Sequence, residues 1–549
     1  MSSTPEAEDG ASRPLLADQR ESRDSSSAES DTPPSVAARD RGTFTKNLGA
    51  LEAFAIVISI VIGSGIFTSP GSIDTNVPSP GSALVVWLVG GVLAWTGAST
   101  MAELGTAIPG EGGVQPYLQY IFGDVFGFLA AWTWIVAVMP ATLAILSIVF
   151  VESIYSAMGV TDQAGRIEHK LFSILILVVI SVANSISTKA STRLNNFFVV
   201  TKFVTIAAVV IAGIVVAILQ ATDPDRDIGG RDWFRKPWFG NREVTNPDGS
   251  KTDWNQLGEW EILGHYSAAL YGALWAYSGW DKAIYVSAEL RAPARQLPLA
   301  INSAVPTIIL CFIAANAAYY ILLPWDVVST TDSVAVVSTY ALLYLMGSLT
   351  NGGKTAITRL LGRGFGIVAA ILICLVVAGS LLGNSFVAGR MAVAAANMNW
   401  LPRFFASVGY IGLKPRSEEE PVCSDDGSSS PRRTRSDAPI NAIMLSAALS
   451  ALYILLGNFR ALLTFNGLGE YSFFFLTVLG AIVLRFREPQ LRRPYKPFIL
   501  VPVVFAVVSG FVVIRGAFFA PVLALVVIVV WILGLGFYWI RKRLALRQE

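Results

Sequence analysis

The sequence predicts an all-α polytopic membrane protein with about twelve transmembrane helices, two of them broken, and three observations support this prediction. Hydrophobic residues make up 53 % of the 549 residues, charged residues only 15 %, and the mean hydropathy is +0.55. The hydrophobic residues form many separate runs, most near the roughly 20 residues that cross about 30 Å of hydrocarbon. Two of these runs are interrupted by glycine and serine. A net charge of +2 gives no indication of a nucleic-acid partner.

The apolar runs define the predicted spans, with the lipid bilayer as their surroundings. In chain order they are 51–73, 82–107, 123–151, 169–187, 197–220, 264–288, 300–323, 365–394, 439–457, 461–485, 499–518 and 520–540. The stretch 340–362 is interpreted as an external hairpin instead, because it carries Lys354, Arg359 and an Asn-Gly-Gly sequence. A cleavable signal peptide is not expected, because a long polar segment precedes the first span.

The polar segments predict the orientation of the transporter domain, residues 46–541. Loops after even-numbered spans and the C-terminal end are rich in basic residues, namely Lys189, Arg193, Arg291, Arg295, Arg485, Arg487, Arg492, Arg493, Lys496, Arg541, Lys542 and Arg543. The positive-inside rule therefore predicts that both termini, including the tail 542–549, are cytosolic and that the loop 221–262 is external. Residues 1–45 and 403–438 are polar and serine-rich, which predicts disordered cytosolic segments.

Few residues indicate covalent or metal chemistry. The three cysteines, Cys311, Cys374 and Cys423, show neither metal-ligand spacing nor a paired external pattern. With two histidines and no HExxH or comparable motif, we expect no enzyme, no metal and no cofactor. Lys46 is the only lysine before the first span, which makes it a candidate target for a ubiquitin ligase or adaptor; an ordinary juxtamembrane charge is the alternative.

The first span contains the sequence around which the prediction of function is built. Residues 62–70 combine two glycines, two serines and a proline within an apolar run. These residues weaken a helix, and broken backbone at this depth is tolerated only where it is buried in protein or lines a cavity. The freed amides and the helix dipole would form a site for a carboxylate. A close helix–helix contact through small residues is the alternative.

The sixth span is interrupted in a similar way, five spans further on. Small residues and aromatics alternate over residues 269–282, with glycine and serine at its centre. Two breaks at this separation are typical of an inverted repeat, in which discontinuous helices face each other across a central site. Amides at one break and carbonyls at the other suit a zwitterion, such as an α-amino acid. Asp281 is the one charged residue expected to face a substrate side chain.

Two ionisable residues lie inside predicted spans, where charge is costly and commonly functional. Lys202, early in the fifth span, is interpreted either as an internal cation replacing a sodium ion and touching the first helix, or as a lysine snorkelling to the interface. Glu103, near the end of the second span, is interpreted as a gate or loop contact.

Over residues 48–515 the chain resembles the L-type amino acid transporters of the amino acid–polyamine–organocation superfamily. The motifs of this resemblance are Gly63-Ser64-Gly65-Ile66-Phe67, Ala102-Glu103-Leu104-Gly105-Thr106, Trp275-Ala276-Tyr277-Ser278-Gly279-Trp280, Leu297-Pro298-Leu299-Ala300-Ile301 and Leu484-Arg485. The polar tail and a missing heavy-chain cysteine in the loop 152–169 resemble a fungal-type member. The resemblance implies a LeuT-like fold, with inverted five-helix repeats over 48–220 and 264–485 and two extra helices within 499–540.

The resemblance also implies the residues of the substrate site. The substrate carboxylate is expected at the first break, its ammonium group at carbonyls of the sixth span, and its side chain against the third and tenth spans. In that order, the residues are Gly63, Ser64 and Gly65; Trp275, Ala276 and Ser278; and Val138, Met139 and Tyr471. The ring of Trp275 is expected to be a gate, and Lys202 to be the coupling residue. Asp281 stands where several relatives have Asn, which places a strict preference for neutral substrates in doubt.

Together these expectations describe a sodium-independent permease for neutral L-amino acids, with methionine or large neutral amino acids as candidates. Proton coupling and exchange both remain open, and an amino acid sensor built on a permease scaffold is the alternative. We expect a plasma-membrane location, with the vacuolar or endosomal membrane as alternatives, and no disulfide-linked heavy chain.

Overall fold

The computed structural model describes residues 48–545 except 64, 109–112, 158–165, 187, 224–229, 247–249, 331–355, 410–437 and 458. Its elements, in chain order, are α1 (Ala50–Val61), α2 (Gly65–Asp74), α3 (Pro80–Ala107), α4 (Val114–Phe122), α5 (Asp124–Thr133), a π-helix (Trp134–Val138), α6 (Met139–Ala157), α7 (Ile167–Ile186), α8 (Thr188–Thr222), α9 (Asp232–Arg235), β1 (Glu243–Thr245), β2 (Lys251–Asp253), α10 (Glu259–Ala276), a 3₁₀-helix (Lys282–Glu289), α11 (Pro293–Leu322), α12 (Trp325–Thr330), α13 (Ala356–Asn397), a second 3₁₀-helix (Arg403–Ala406), α14 (Ile440–Leu456), α15 (Phe459–Arg487), α16 (Leu500–Phe519) and α17 (Pro521–Ala545).

The helices confirm the predicted polytopic all-α class. Within the described part of the chain, nine helices are long and apolar enough to cross a membrane: Pro80–Ala107, Asp124–Tyr155, Ile167–Ser185, Arg193–Thr222, Pro293–Leu322, Ile371–Asn397, Ala461–Arg487, Leu500–Phe518 and Pro521–Leu544. The remaining predicted spans correspond to the two broken helices and to α14, which has 17 residues. A count of twelve spans stays a prediction.

The two predicted breaks are present. The first apolar run is divided into α1 and α2, and the sixth into α10 and a 3₁₀-helix separated by a turn over residues 277–281. Around them, α11 packs along α3, and α13 packs against α6 and α8, so that the broken helices lie in the interior. In contrast, only 11 % of the residues in the apolar window of α17 are buried, which places that helix at the periphery.

Three segments differ from the sequence-based expectation. The hairpin predicted over 340–362 lies outside the described residues up to 355, and its remaining residues belong to α13, a continuous helix of 42 residues. The segment 403–438, expected to be disordered, begins with an ordered stretch: Arg403–Ala406 form a 3₁₀-helix, and the side chain of Asn441 donates a hydrogen bond of 2.9 Å to the carbonyl of Phe404. This contact holds the stretch against α14.

The loop 221–262 contains the third difference, a small antiparallel hairpin in an otherwise helical protein. Strand β1 pairs with β2 in the register Glu243 to Asp253. The loop also carries Arg242, whose guanidinium lies 2.6 Å from the carboxylate of Asp74 at the end of α2. The loop is therefore attached to the end of the first broken helix, and this attachment gives it a structural role.

Candidate functional site

The first break is formed by a short stretch of non-helical backbone. Helix α1 ends at Val61, and Ile62 has φ −74° and ψ 80°, outside the helical region. The amide of Gly63 turns back to the carbonyl of Val61 at 2.8 Å, and α2 begins at Gly65. Ser64, the predicted carboxylate ligand, lies outside the described residues. The break exposes the N-terminus of α2, where the first amides of a helix have no partner within the helix.

The second break is a tighter turn. Helix α10 ends at Ala276, and Gly279 adopts φ +103°, a conformation that glycine reaches without steric cost. The turn closes when the amide of Lys282 bonds to the carbonyl of Gly279 at 3.0 Å, after which the 3₁₀-helix begins. The C-terminal end of α10, with its negative partial charge, therefore points into the same region as the N-terminus of α2.

The two breaks touch each other directly. A Cβ atom added to Gly65 would lie 2.5 Å from the Cα of Ala276, and one added to Gly279 would lie 2.5 Å from Cγ2 of Ile60. Both distances are shorter than ordinary non-bonded carbon–carbon contacts, so that the close approach of the two breaks requires glycine at these positions. The helix ends of opposite partial charge are thus held side by side in the protein interior.

A small cavity lies between the breaks. Its volume is about 40 Å³, enough for roughly three water molecules but too small for an amino acid. Its walls come from both breaks and from α6, the 3₁₀-helix and α13: Ile60, Val61, Gly63, Gly65, Thr142, Leu146, Trp275, Ala276, Ser278, Gly279, Lys282 and Asn384. Of the residues predicted to bind the substrate, Gly63, Gly65, Trp275, Ala276 and Ser278 lie here.

A larger cavity of about 220 Å³ adjoins the small one. It lies between α10, α15 and α16 and is lined by Gly264, Ser267, Ala268, Tyr271, Leu274, Trp275, Ser278, Leu463, Thr464, Gly467, Leu468, Glu470, Tyr471, Arg515 and Gly516. Most of this wall is apolar. Trp275 and Ser278 line both cavities, so that the indole ring stands between them. Tyr471, predicted in the side-chain pocket, belongs to the larger cavity.

The two remaining residues of the predicted side-chain pocket are placed differently. Val138 and Met139 are both buried and line neither cavity, whereas Thr142 and Leu146, further along the same helix, line the small one. The π-helix Trp134–Val138 precedes them directly and inserts an extra residue into the turn. Thr142 and Leu146 follow Val138 at spacings of four and eight residues, so the wall residues lie on the helix face that Val138 shares, one and two turns further along α6.

Lys202 lies in the interior and does not snorkel. Its side chain is fully buried, and its Nζ donates to the carbonyl of Ser59 and, at 3.1 Å, to Oγ of Ser380. Ser380 Oγ also donates to the carbonyl of Ser59 at 2.8 Å. The Ser59 carbonyl belongs to the last turn of α1, whose end is left open by the break. The Lys202 side chain satisfies this carbonyl at the negative end of the helix dipole.

Asp281, predicted to face the substrate, is engaged by the protein itself. Its Oδ2 lies 3.1 Å from Nζ of Lys282, and the same Nζ lies 3.1 Å from Oε1 of Glu470 in α15. Ser278 donates to the other oxygen of Glu470 at 3.1 Å. Sequence reasoning missed Lys282 and Glu470. An acidic residue in the middle of the apolar run 461–485 was the available signal, because buried charge in a membrane helix requires a partner.

Two further sets of buried polar contacts lie outside the cavity walls. At the end of α2, Asp74 accepts a hydrogen bond from Tyr320 at 2.6 Å and pairs with Arg242. At the opposite end of the bundle, Glu103 pairs with Arg485 and, at 3.3 Å, with Arg493. The predicted loop contact of Glu103 is thus present.

Membrane-length apolar helices that enclose two facing broken helices, with a buried cavity between them, define a permease of the secondary-transporter class. The comparison with known families agrees with this architecture. The chain belongs to the amino acid permease family, since that family's sequence profile matches residues 48–538.

Similar proteins confirm the resemblance to L-type transporters. The human b(0,+)-type amino acid transporter 1 is 27 % identical over 496 residues, covering 90 % of this chain and 88 % of its own. The mouse Asc-type amino acid transporter 1 is 27 % identical over 510 residues, covering 92 % and 84 %. The mouse large neutral amino acids transporter small subunit 2 is 26 % identical over 521 residues, covering 93 % and 86 %.

Proposed function

We propose that this protein is a sodium-independent permease for neutral L-amino acids, working by proton symport or by exchange. The observation that carries the proposal is the contact between the N-terminus of α2 and the C-terminus of α10, through Gly65 and Ala276. The first offers amides to a carboxylate and the second offers carbonyls to an ammonium group. An α-amino acid carries both groups, separated by a single carbon.

The substrate binds between the breaks when the small cavity expands. Its carboxylate is assigned to the stretch Gly63 to Gly65 with Ser64, and its ammonium group to the carbonyls of Trp275, Ala276 and Ser278. Because the cavity of about 40 Å³ is too small, binding requires the breaks to separate. Trp275 is the gate in this proposal, since its ring lies in the walls of both cavities.

The larger cavity accounts for a preference for large neutral side chains. Its volume of about 220 Å³ and its mostly apolar wall, which includes Leu274, Leu468 and Tyr471, suit leucine or methionine. A cationic side chain would lose its hydration there without gaining a free acidic partner, because Glu470 is already bonded to Lys282 and Ser278.

Lys202 supports sodium independence. Its ammonium group touches carbonyl and hydroxyl oxygens between α1 and α13, which are the hard oxygen ligands that an alkali cation would use. Because the amine of Lys202 occupies these oxygens, they are not available to a second cation. The end of the first broken helix is then stabilised without sodium.

Counterflow in proteoliposomes tests the function. Purified protein is reconstituted, loaded in turn with each of the twenty amino acids, and assayed for entry of labelled leucine in sodium-containing and in sodium-free buffer. We expect exchange with large neutral amino acids at equal rates in both buffers. Ser64→Leu is expected to insert normally and to lose exchange. Absence of counterflow with every amino acid would contradict the proposal, and leucine binding without flux would indicate a sensor.

The proposal extends to topology and partners. Both termini are assigned to the cytosol of a plasma-membrane protein, or of a vacuolar or endosomal one, on the basis of the basic cluster that includes Arg485 and Arg493. One relative is named a small subunit; here no disulfide-linked heavy chain is proposed, because the loop 152–169 contains no cysteine. Lys46 is proposed as a ubiquitin acceptor. Non-reducing electrophoresis of the cell-expressed protein and the turnover of Lys46→Arg test these two assignments.

A further inference from the structure

Three buried ionisable side chains meet where the second break contacts α15. Lys282 Nζ lies 3.1 Å from a carboxylate oxygen of Asp281 and 3.1 Å from one of Glu470. The side chains of all three residues are at most 3 % exposed. Glu470 lies 188 residues from Lys282 in sequence, so that this group, the Asp281–Lys282–Glu470 triad, joins the second break to α15.

The triad holds one acid more than it can balance. Two carboxyl groups share a single ammonium group, and an unbalanced carboxylate is costly to bury. Two neighbouring carboxyls in this situation keep one proton between them. Oδ1 of Asp281 has no partner at ordinary hydrogen-bond geometry among the described residues, although the phenol of Tyr285 lies beside this carboxyl group.

The other titratable groups around the triad do not supply the missing positive charge. Two tyrosines face it, Tyr285 from the 3₁₀-helix and Tyr471 from α15, and behind them lie Tyr117 of α4 and Tyr271 of α10. Phenols are neutral near pH 7. The other cations have different partners or positions: Lys202 bonds to α1 and α13, Arg485 and Arg493 pair with Glu103, and Arg390 pairs with Glu289. Arg515 shares the larger cavity with Glu470, but the charged groups that act on the Glu470 carboxyl are Lys282 and Asp281.

The triad is also part of the walls of both cavities. Lys282 lines the small cavity, Glu470 lines the larger one, and Ser278, which donates to Glu470, lines both. Expansion of the small cavity around a substrate must therefore move groups that hold the triad together. Opening of the larger cavity would bring water to Glu470, which is the route by which a proton enters or leaves.

We propose that the Asp281–Lys282–Glu470 triad is the proton-coupling site of the permease, which rests on the amino acid permease function proposed above. With one proton bound the triad is neutral, and the second break packs against α15 as described. Loss of that proton to water leaves a net negative charge, which favours an open, hydrated larger cavity. One proton accompanies each amino acid: it binds to a carboxyl of the triad on the side of uptake and is released to water on the opposite side, and another proton from the side of uptake reloads the triad in the next cycle.

The test measures protons and leucine in the same proteoliposomes, with a pH indicator trapped inside. For the wild type, leucine uptake is expected to move roughly one proton per leucine and to accumulate leucine when a pH gradient is imposed. Glu470→Gln keeps the size and polarity of the side chain but cannot bind and release a proton. It is expected to lose the proton moved per leucine and the gradient-driven accumulation; the counterflow rate itself is not the readout, because Glu470 lines the larger cavity. Glu289→Gln is the matched control, a buried acid paired with Arg390 outside the triad, and is expected to keep both.

Each outcome decides the proposal. Wild-type leucine flux without proton movement would overturn it, and so would an unchanged proton-to-leucine ratio in Glu470→Gln or a loss of proton movement in Glu289→Gln. If Glu470→Gln does not exchange leucine, Asp281→Asn takes its place, since Asp281 lines neither cavity. An unchanged ratio in that variant overturns the proposal as well. Failure of the permease function itself would show differently, as absence of counterflow in the wild type.

Discussion

Replacing Gly65 by alanine tests the contact on which the proposed site depends. The new Cβ would lie 2.5 Å from the Cα of Ala276, 3.0 Å from its Cβ and 3.3 Å from its carbonyl oxygen. The nearest of these atoms belongs to the backbone and cannot rotate away. Restoring an ordinary contact of 3.4 Å requires the two breaks to separate by roughly 0.9 Å.

The magnitude follows from the cost of overpacking. Adding a methyl group to a tightly packed interior costs about 1–3 kcal/mol. Alanine also favours a helix over glycine by up to about 1 kcal/mol, but this gain is the same whether the breaks are together or apart. The conformation with touching breaks is therefore disfavoured relative to the open ones by about 1–3 kcal/mol, which corresponds to roughly 5- to 150-fold. We expect leucine counterflow to fall by a factor in this range.

The assay compares initial rates of leucine counterflow at equal amounts of folded protein. The amount of folded protein is measured by size-exclusion chromatography after heating. Gly536→Ala is the matched control, because a Cβ at Gly536 on α17 would meet no atom within 4 Å. This control is expected to transport normally. A Gly65→Ala rate within twofold of the wild type would refute the reasoning, and so would an equal loss in Gly536→Ala. Either result would mean that the breaks do not need to touch during transport.

Three further predictions concern the contacts around the site. Lys202→Met removes a charged hydrogen-bond donor worth about 1.5–3 kcal/mol from the end of α1, and leucine counterflow in sodium-free buffer should fall roughly tenfold or more. Arg242→Met leaves the buried carboxylate of Asp74 without its cation and should destabilise the protein by about 3 kcal/mol in thermal unfolding, with Asp74→Asn partly compensating in the double variant. The hydrogen bond from Tyr120 at 2.6 Å, assisted by Arg487, holds the pKa of the Glu488 carboxyl below its usual value. Because this pKa is lowered on folding, the stabilisation is present at neutral pH and is lost as the pH falls through the folded-state pKa, so the melting difference between wild type and Tyr120→Phe should shrink on acidification.

Local sequence was sufficient to predict the two breaks. Glycine and serine near the centre of an apolar run weaken a helix wherever the run is placed, and both interruptions, at Gly63–Gly65 and at Gly279, could be recognised without knowledge of their neighbours. The class of protein follows from the same features, because discontinuous helices at corresponding positions are a property of transporters with repeated halves. The resemblance to known transporters then identified which residues line the site.

Contacts between residues that are distant in sequence were not predicted. Lys282 and Glu470 lie in different apolar runs, and nothing in the sequence around either residue indicates that their side chains meet. Thr142 and Leu146 share a helix face with Val138, and only the packing of α6 against the breaks decides that the small cavity meets these two residues instead of Val138. Likewise, Lys202 lies only a few residues inside its span, and position in the span favoured snorkelling; the break in α1 supplied the buried carbonyls that hold it inside.

These placements share a physical cause. A membrane interior tolerates a charge only where other polar groups already lie, and a broken helix provides such groups in the form of backbone amides and carbonyls. Lys202 is therefore found at the open end of α1, and the Asp281–Lys282–Glu470 triad at the turn after α10. In the proposed cycle the same breaks separate and close, so the charges that they attract are the ones whose environment would change. Glu470 contacts the second break through Lys282 and Ser278, whereas Glu289 is paired with Arg390 beyond that turn.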